Sequence, residues 1–486
     1  MYSSKHHYLC INQKNLMMGN STSDTICAIS TPAGQGGIAV IRISGKDAFS
    51  VCNKIFKPAK ESVPLPEEGK VGAEIVFGRI FRGDEILDEV MLTTFRAPHS
   101  YTGENVAEIS CHGSLYIQQE ILKLLLAAGF RSAVAGEFTQ RAFLNGKIDL
   151  AQAEAVGDLI ASSSAAAHRI AMQQMRGGIS AELAGLRDRL LHFTSLVELE
   201  LDFAEEDVEF ADRKQLKELA LKVETVIRRL ADSFDAGNAI KNGIPVAIVG
   251  ETNAGKSTLL NRLLKEERAI VSDIHGTTRD AIEDTVVIDG LMFRFIDTAG
   301  IRETHDDLEK LGIERTFRKI EQASIVLWVM NLAGDFQETV RFSEKISSRA
   351  ESKKLILILN QADKLTDDEL SQRVACYNRF GNDRMVISAK TDADLSALER
   401  KLVEAAGIPQ IGDNDVIVAN IRHYEALTLA QTAIRQVIQG LNNGISGDFL
   451  SQDIRECLYH LGEITGQQIG TEEVLGNIFR KFCVGK

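Results

Sequence analysis

Eight residues at positions 250–257 constrain this 486-residue chain more than any others. Gly250, Glu251, Thr252, Asn253, Ala254, Gly255, Lys256 and Ser257 match the spacing G-x-x-x-x-G-K-[ST]. They follow a strand-like PVAIV and precede a helix-like TLLNRLL, the context such a loop requires. The glycines let the backbone wrap closely around a phosphate and point successive amides inward, and the following helix adds its positive end. Lys256 would reach the β- and γ-phosphates as a catalytic cation, and the Ser257 hydroxyl would bind Mg²⁺. Taken alone, the motif predicts a phosphate-binding loop and competes with a plain Gly-rich turn at a helix start.

The residues downstream narrow this to guanine nucleotides. Asp297, Thr298, Ala299 and Gly300 end the strand-like FRFI, which sets a carboxylate beside the metal and a glycine amide near the γ-phosphate. The intervening loop carries Ser272, Asp273, Ile274, His275, Gly276, Thr277 and Thr278, where a threonine hydroxyl and carbonyl complete the Mg²⁺ shell, Thr278 being the assigned ligand beside Ser257. Asn360 and Asp363 follow the strand-like LILIL, and Ser388, Ala389 and Lys390 follow MVI. A carboxylate at Asp363 accepts from guanine N1–H and N2–H together, whereas adenine offers an acceptor at N1 and no N2 amine. All four elements fall in order at the C-terminal ends of strands, where α/β sheets bind ligands. The predicted GTP site comprises these segments together with Asn253, Ala254, Gly255, Lys256, Ser257 and Thr258.

Two departures from the usual GTPase pattern stand out. Gln361 occupies the place of the lysine in N-K-x-D; it can still pack along the loop and donate a hydrogen bond, but without charge. Guanine selection is expected to survive through Asp363, with weak binding and easy exchange. Ile301 occupies the slot of the water-orienting Gln, so another group must hold the attacking water. Glu303, Asp306, Asp307 and Glu309 are all candidates from the residues alone. Asn253, with backbone carbonyls of the 272–277 loop, could hold a monovalent cation where an arginine finger would sit.

Around this domain the texture changes twice. Residues 25–138 mix strand-like TICAIS, GIAVIRIS, AEIVFGRIF, EVMLTTF and VAEISCHG with helical segments. From about 150 to 230 the pattern is helical, with Leu183, Leu186, Leu190, Phe193 and Val197 on one face. From 244 to about 406 strands alternate with helices, which predicts a parallel sheet covered on both faces. Helical texture then returns to the C-terminus. The expected architecture is therefore multidomain: 1–23 a disordered extension; 24–142 an N-terminal α/β domain; 143–241 and 407–486 two parts of a discontinuous all-α domain; 242–406 an inserted α/β P-loop G domain of Ras-like type. GNAIKNG (237–243) and GIPQIGDND (407–415) are the expected hinges. Seven scattered cysteines, never spaced C-x-x-C, predict reduced thiols and a cytoplasmic setting rather than disulfides or zinc. No apolar run reaches membrane-spanning length, and the N-terminus lacks a signal-like apolar core. A net charge of −13 argues against charge-driven binding to nucleic acid or anionic membrane, though not against RNA held by a local patch or a partner.

The residues resemble the MnmE (TrmE) family of tRNA-modification GTPases. The resemblance is carried by GGIAVIRISG (36–45), YTGENVAEISCHG (101–113), GEFTQRAFLNGKIDLAQAEAVGDLI (136–160), NAGKSTLLN, SDIHGTTRD, DTAGIRET, LGEITG (461–466) and the terminal FCVGK (482–486). It implies a homodimer formed through an N-terminal domain similar to folate-binding modules. That domain would hold 5-formyl- or methylene-tetrahydrofolate at Arg42, Glu108, Lys147 and Lys486. Arg42 and Glu108 forming only a structural ion pair, and Lys147 being an ordinary surface lysine, are the bland alternatives. The resemblance assigns Glu309 as the residue that orients the hydrolytic water. It assigns K⁺ to Asn253 and the Ser272, Ile274 and Thr277 positions, active when two G domains pair. It leaves Cys483 a positional cysteine. It further implies work with the flavoprotein MnmG, in a heterotetramer or larger complex that holds the tRNA, to add a carboxymethylaminomethyl group at C5 of the wobble uridine. The competing reading is a regulatory RNA- or ribosome-assembly GTPase resembling Era. Residues 407–486 hold nine acidic against six basic residues, which disfavours the basic RNA module such proteins carry.

Overall fold

The computed structural model describes residues 24–60, 73–202, 212–251, 253–266, 284–296, 317–334, 353–377, 383–390, 395–408, 412, 415–467 and 485. The predicted extension at 1–23 lies outside them. Two compact units are present. One draws on the chain up to Gly157, Gln174–Ala220 and Thr432 onward; the other on Asp158–Gln173 and Leu221–Gln431. The helical segments are shared between the two.

The first unit holds a seven-stranded sheet. Its strands are β1 (Ile26–Ile29), β2 (Ile38–Ser44), β3 (Phe56–Pro58), β4 (Ala73–Arg82), β5 (Glu85–Phe95), β6 (Val106–His112) and β7 (Arg131–Ser132). They pair in the order β3-β4-β5-β6-β2-β1-β7, antiparallel except for β1 with β7. Alternation along each strand sends Ala39, Ile41, Ile43, Leu92, Ala107 and Ile109 to an inner face, closed by helices α1 (Ala48–Ile55) and α2 (Leu115–Ala127). On the outer face, helix α3 (Glu137–Leu144) covers the β1 end through Phe138, packed with Ile26 and Ala28. Over β4, β5 and β2 that face is open: Ile75 is 65% exposed, Phe77 47%, Met91 40% and Ile38 71%.

Helix α3 is anchored by an ion-pair cluster. Arg141 donates to Asp24 Oδ1 at 2.8 Å, Glu137 Oε1 at 3.1 Å and Glu104 Oε2 at 3.1 Å, while Arg131 binds Asp24 and Glu137 from the other side. Burial pushes the Asp24 and Glu137 carboxyls up, but the hydrogen bonds and charges of the two arginines outweigh it and hold both below their ordinary values. Carboxyls depressed in the fold stabilise it fully above their unfolded range, about pH 4, and that contribution is lost as pH falls through the lowered folded values. Arg141→Met, which strips the buried cation from three carboxylates, should cost ~3 kcal/mol at neutral pH and make the melting temperature less sensitive to acid. Melts from pH 7 to 3 check this; a variant that melts with wild type throughout would show that the cluster is energetically idle.

Four helices continue this part of the chain: α4 (Leu150–Ala161), α5 (Ala165–Met175), α6 (Gly178–Asp202) and α7 (Arg213–Asp232). In α6, Leu183, Leu190 and Val197 are fully buried at seven-residue intervals, with Leu186 and Phe193 half-buried between them, as the periodicity predicts. Helix α13 (Gly447–Thr465) packs along α6, and Arg455 pairs with Glu198. The two helices come from opposite sides of the P-loop region in sequence.

The second unit holds a six-stranded sheet: β8 (Ile244–Val249), β9 (Asp284–Ile288), β10 (Leu291–Phe295), β11 (Ile325–Asn331), β12 (Lys354–Asn360) and β13 (Arg384–Val386). The order is β13-β12-β11-β8-β10-β9, parallel except for β9. This corrects the expectation of a purely parallel sheet. Asp289 and Gly290, both at positive φ, form a two-residue hairpin that turns β9 back against β10. The central strands are continuously apolar because both faces are covered, as Val326, Leu327, Trp328 and Val329 show. Helix α9 (Lys256–Glu266) lies against one face; α10 (Asp367–Cys376) and α11 (Leu395–Ala406) follow β12 and β13. The first predicted hinge is not a loop. Residues 237–242 belong to helix α8 (Phe234–Asn242), where a side chain on Gly237 would strike the Val418 carbonyl at 2.2 Å. A tight turn at Gly243, φ 83°, makes the connection to β8. Most of the second expected hinge, 409–411 and 413–414, lies outside the described residues. Helix α12 (Ile421–Asn443) follows it. Among the described residues Cys27, Cys52, Cys111, Cys376 and Cys457 are free thiols, and no helix is long and apolar enough to cross a membrane.

Candidate active site

Because β8, β11, β12 and β13 run parallel, their C-terminal ends share one edge of the sheet, and the three described nucleotide segments follow those ends. The phosphate loop leaves β8 at Gly250, which passes so close to β11 that a Cβ there would lie 2.1 Å from the Val329 carbonyl. It re-enters helix α9 through Gly255 at φ 96°. Asn253 takes the left-handed conformation at φ 63°. Ala254 is buried, Ser257 half-buried and Thr258 exposed in the first turn of α9.

Lys256 folds back over the loop and donates to the Gly250 carbonyl at 2.9 Å and the Glu251 carbonyl at 2.6 Å. Burial, with the cation of Lys319 nearby, pulls its ammonium down to about 8. A bound phosphate favours the charged form, so binding above pH 8 must take up a proton. The Kd for GDP should therefore stay flat from pH 6.5 to 7.5 and rise about tenfold by pH 9. Fluorescent GDP titrations read this directly, with Lys256→Gln expected to bind weakly and show no such rise. A flat wild-type profile would place the ammonium's transition outside this range.

Asn360, 2% exposed, connects two loops that the sequence shows only as separate motifs. Its Nδ2 donates to the Ala254 carbonyl at 2.7 Å, and its Oδ1 accepts from the Ala389 amide at 2.9 Å. Arg262, from α9, donates to the Ala389 carbonyl at 3.2 Å, a contact with no signal in the sequence. The Ser388 hydroxyl donates to Asp363 Oδ1 at 2.7 Å. That bond, with nearby Lys390 and Lys364, holds the exposed Asp363 carboxyl below its ordinary value and leaves it an anionic acceptor. Gln361 takes the left-handed conformation at φ 68° and donates from Nε2 to the Asn253 carbonyl at 2.9 Å. Gln361, in the place of the lysine, thus joins the phosphate loop through an uncharged donor. Lys390 is exposed beside it.

The remaining predicted nucleotide and metal residues lie outside the described residues: Ser272, Asp273, Ile274, His275, Gly276, Thr277, Thr278, Asp297, Thr298, Ala299, Gly300 and Glu309. Among the described residues no cluster of histidine, cysteine and acidic side chains could hold a metal.

Two of the four folate candidates occupy the outer sheet face. Arg42 and Glu108 are cross-strand partners on β2 and β6, and Arg42 Nε donates to Glu108 Oε1 at 2.8 Å. The guanidinium lies over the rings of Tyr101 and Phe138, 5.3 and 5.7 Å from their centroids. Lys147 donates to the Pro98 carbonyl at 2.9 Å, on the loop that carries Tyr101. Lys486 and Cys483 lie outside the described residues. Gly485 is held against the end of β1, where its carbonyl accepts from the Ser30 hydroxyl at 2.9 Å.

A model of the MnmE helical domain matches residues 150–483, and one of the GTP-binding protein TrmE N-terminus matches 25–147. A tRNA modification GTPase MnmE of Bacteroides thetaiotaomicron is 57% identical over 466 residues, covering 95% of this chain and 99% of its own. The chain belongs to the MnmE (TrmE) family. Another member, from Parabacteroides distasonis, is 56% identical over 95% of this chain and 100% of its own. One from Flavobacterium johnsoniae is 52% identical over 95% and 99%. A solved structure of Era from Aquifex aeolicus is 24% identical over 39% of this chain and 66% of that one, with a TM-score of 0.27. As a family member the chain is a GTP hydrolase of tRNA modification, multidomain, with a TrmE N-terminal domain and an MnmE helical domain.

Proposed function

We propose that this chain is a K⁺-dependent GTPase. In our reading it works as a homodimer with the flavoprotein MnmG to place a carboxymethylaminomethyl group on C5 of the wobble uridine of certain tRNAs, drawing one carbon from a tetrahydrofolate. The observation that carries the nucleotide part is the Ser388–Asp363 pair joined through Asn360 to the phosphate loop. In this reading Asp363 selects guanine, Lys256 neutralises the β- and γ-phosphates, and Glu309 orients the attacking water. Ser257 at the start of α9 and Thr278 are the protein ligands for Mg²⁺. Asn253 is exposed at the turn of the loop, with its carbonyl committed to Gln361, and is the described member of the K⁺ set with Ser272, Ile274 and Thr277. K⁺ held there would supply the positive charge that an arginine finger supplies elsewhere.

Two features support the dimer and folate parts. The open sheet face carrying Ile38, Ile75, Phe77 and Met91 suits a second copy of the chain. Arg42 and Glu108, with Lys147 bonded to the loop that carries Tyr101, offer cations and a carboxylate to the two ends of a folate, and Lys486 follows Gly485, which is held at the end of β1, in sequence. The setting we infer is the cytoplasm.

GTP turnover in KCl should exceed that in NaCl by about tenfold or more, since in this reading K⁺ adds to Lys256 and Mg²⁺ the transition-state charge that an arginine finger supplies elsewhere. Equal, negligible rates in both salts would sink the cation-dependent mechanism. Mass analysis of wobble uridines from a deletion strain tests the cellular role, and unchanged modification would favour the ribosome-assembly reading instead.

A further inference from the structure

A cavity of about 550 Å³ lies in the unit of the N-terminal sheet, lined by the turn between α3 and α4, one face of α6 and the end of α13. None of its lining residues belongs to the nucleotide site. Ser180, Ala184 and Arg187 fall four and three residues apart on α6, so they share a helix face, and the small side chain at 184 leaves the space open. Two polar groups on this wall are unmet. Arg187 is 9% exposed; its Nη1 donates to Gln467 Oε1, but its Nε has no hydrogen-bond partner. The Ser180 hydroxyl is also buried without a partner. Buried donors left open are costly in a native fold, and two on one cavity point to a ligand that satisfies them.

We propose that this cavity binds the carboxylate of a small organic anion, with Arg187 Nε and Ser180 Oγ as donors. The guanidinium edge turned away from Gln467 offers Nε and Nη2 as parallel donors, the fork that a carboxylate fills. Asp149, on the same cavity, disfavours the compact double charge of a phosphate more than carboxylates whose charges stand apart along a carbon chain, and Lys147 adds a second cation. The carboxylate has two possible sources. One is the glutamyl tail of a folate, which rests on the folate reading above; the other is a separate metabolite, which does not.

Titration calorimetry on the full-length chain with glutarate tests the site. Wild type should bind glutarate saturably and more tightly than inorganic phosphate. Arg187→Met should weaken glutarate on the order of tenfold or more. Ala184→Leu fills the cavity from an exposed helix position with Arg187 intact, and should do the same. Thermal melts and GDP affinity should match wild type in Ala184→Leu. Absence of saturable binding, glutarate binding unchanged in both variants, or phosphate binding at least as tightly would overturn the assignment. A paired titration of 5-formyltetrahydrofolate and the matching pteroate, which lacks the glutamyl tail, identifies the source. If Arg187→Met weakens only the former, the tail enters the cavity; if it weakens glutarate and neither pterin, the ligand is a separate metabolite. Should neither pterin bind at all, the folate reading fails while the glutarate result still stands.

Discussion

Asp363→Asn should lower GTP affinity by about a hundredfold or more and make xanthosine triphosphate the better ligand. In the proposed reading the wild-type carboxylate accepts from guanine N1–H and N2–H, and hydrogen bonds to a charged group are worth roughly 1.5–3 kcal/mol each. An asparagine presents one acceptor and one donor, so the N2 amine meets an N–H and is repelled. Xanthine carries a carbonyl at that position and accepts what the amide offers. Ser388 holds the side chain in place through Oδ1, and its hydroxyl can serve an amide oxygen equally, so the variant should keep its loop geometry. Competition between the two triphosphates is the measurement. If GTP still wins over xanthosine triphosphate, Asp363 does not read the base.

The second large effect is expected at Asn360. Replacing it with Ala removes two buried hydrogen bonds and strands the Ala254 carbonyl and the Ala389 amide in a dry interior. At about 1–3 kcal/mol for each stranded group, the loss is ~3 kcal/mol, which appears as lower stability and roughly a hundredfold weaker GDP binding. Asn360→Asp separates the two bonds, because a carboxylate keeps the acceptor for the Ala389 amide and loses the donor for Ala254. It should lie below wild type and retain part of the Ser388–Ala389–Lys390 geometry. GDP affinity of Asn360→Ala within threefold of wild type would show that the two loops hold their positions independently.

The placement of the candidate nucleotide segments at strand ends is legible in the sequence because each is a short local motif. Phosphate-loop spacing, the Asn360 to Asp363 segment and Ser388–Ala389–Lys390 all fall where predicted on the sheet edge. Long-range pairings were not legible. Nothing local shows that the Asn360 amide spans two loops, that Arg262 reaches Ala389, or that Gln361 adopts positive φ to meet Asn253. Strand β9 was missed although Asp289–Gly290 is a standard hairpin signal, because its polar first half, Asp284 and Thr285, interrupts the apolar run. GNAIKNG is expected as a hinge because domains are inserted at exposed loops, yet its first six residues are helical. Gly237 is there for close packing against Val418 inside a helix. In the N-terminal sheet, alternation predicted the strands, and Arg42 and Glu108 were named from resemblance. That they stand opposite each other is set by the β2–β6 register, which a single strand's sequence does not carry.

That register also ties two properties of the outer face together. Ala28, Arg42, Glu108, Thr93 and Ile75 form one row across β1, β2, β6, β5 and β4. Whatever covers Ile75 at one end of the row sheds water from around Arg42 and Glu108 nearer the other, where an ion pair or bound anion feels a lower dielectric. In the proposed reading, where a second copy covers this face and a folate meets the Arg42–Glu108 pair, the two events would be linked by mass action. The apparent affinity for the folate would then depend on protein concentration, and dilution would weaken its hold.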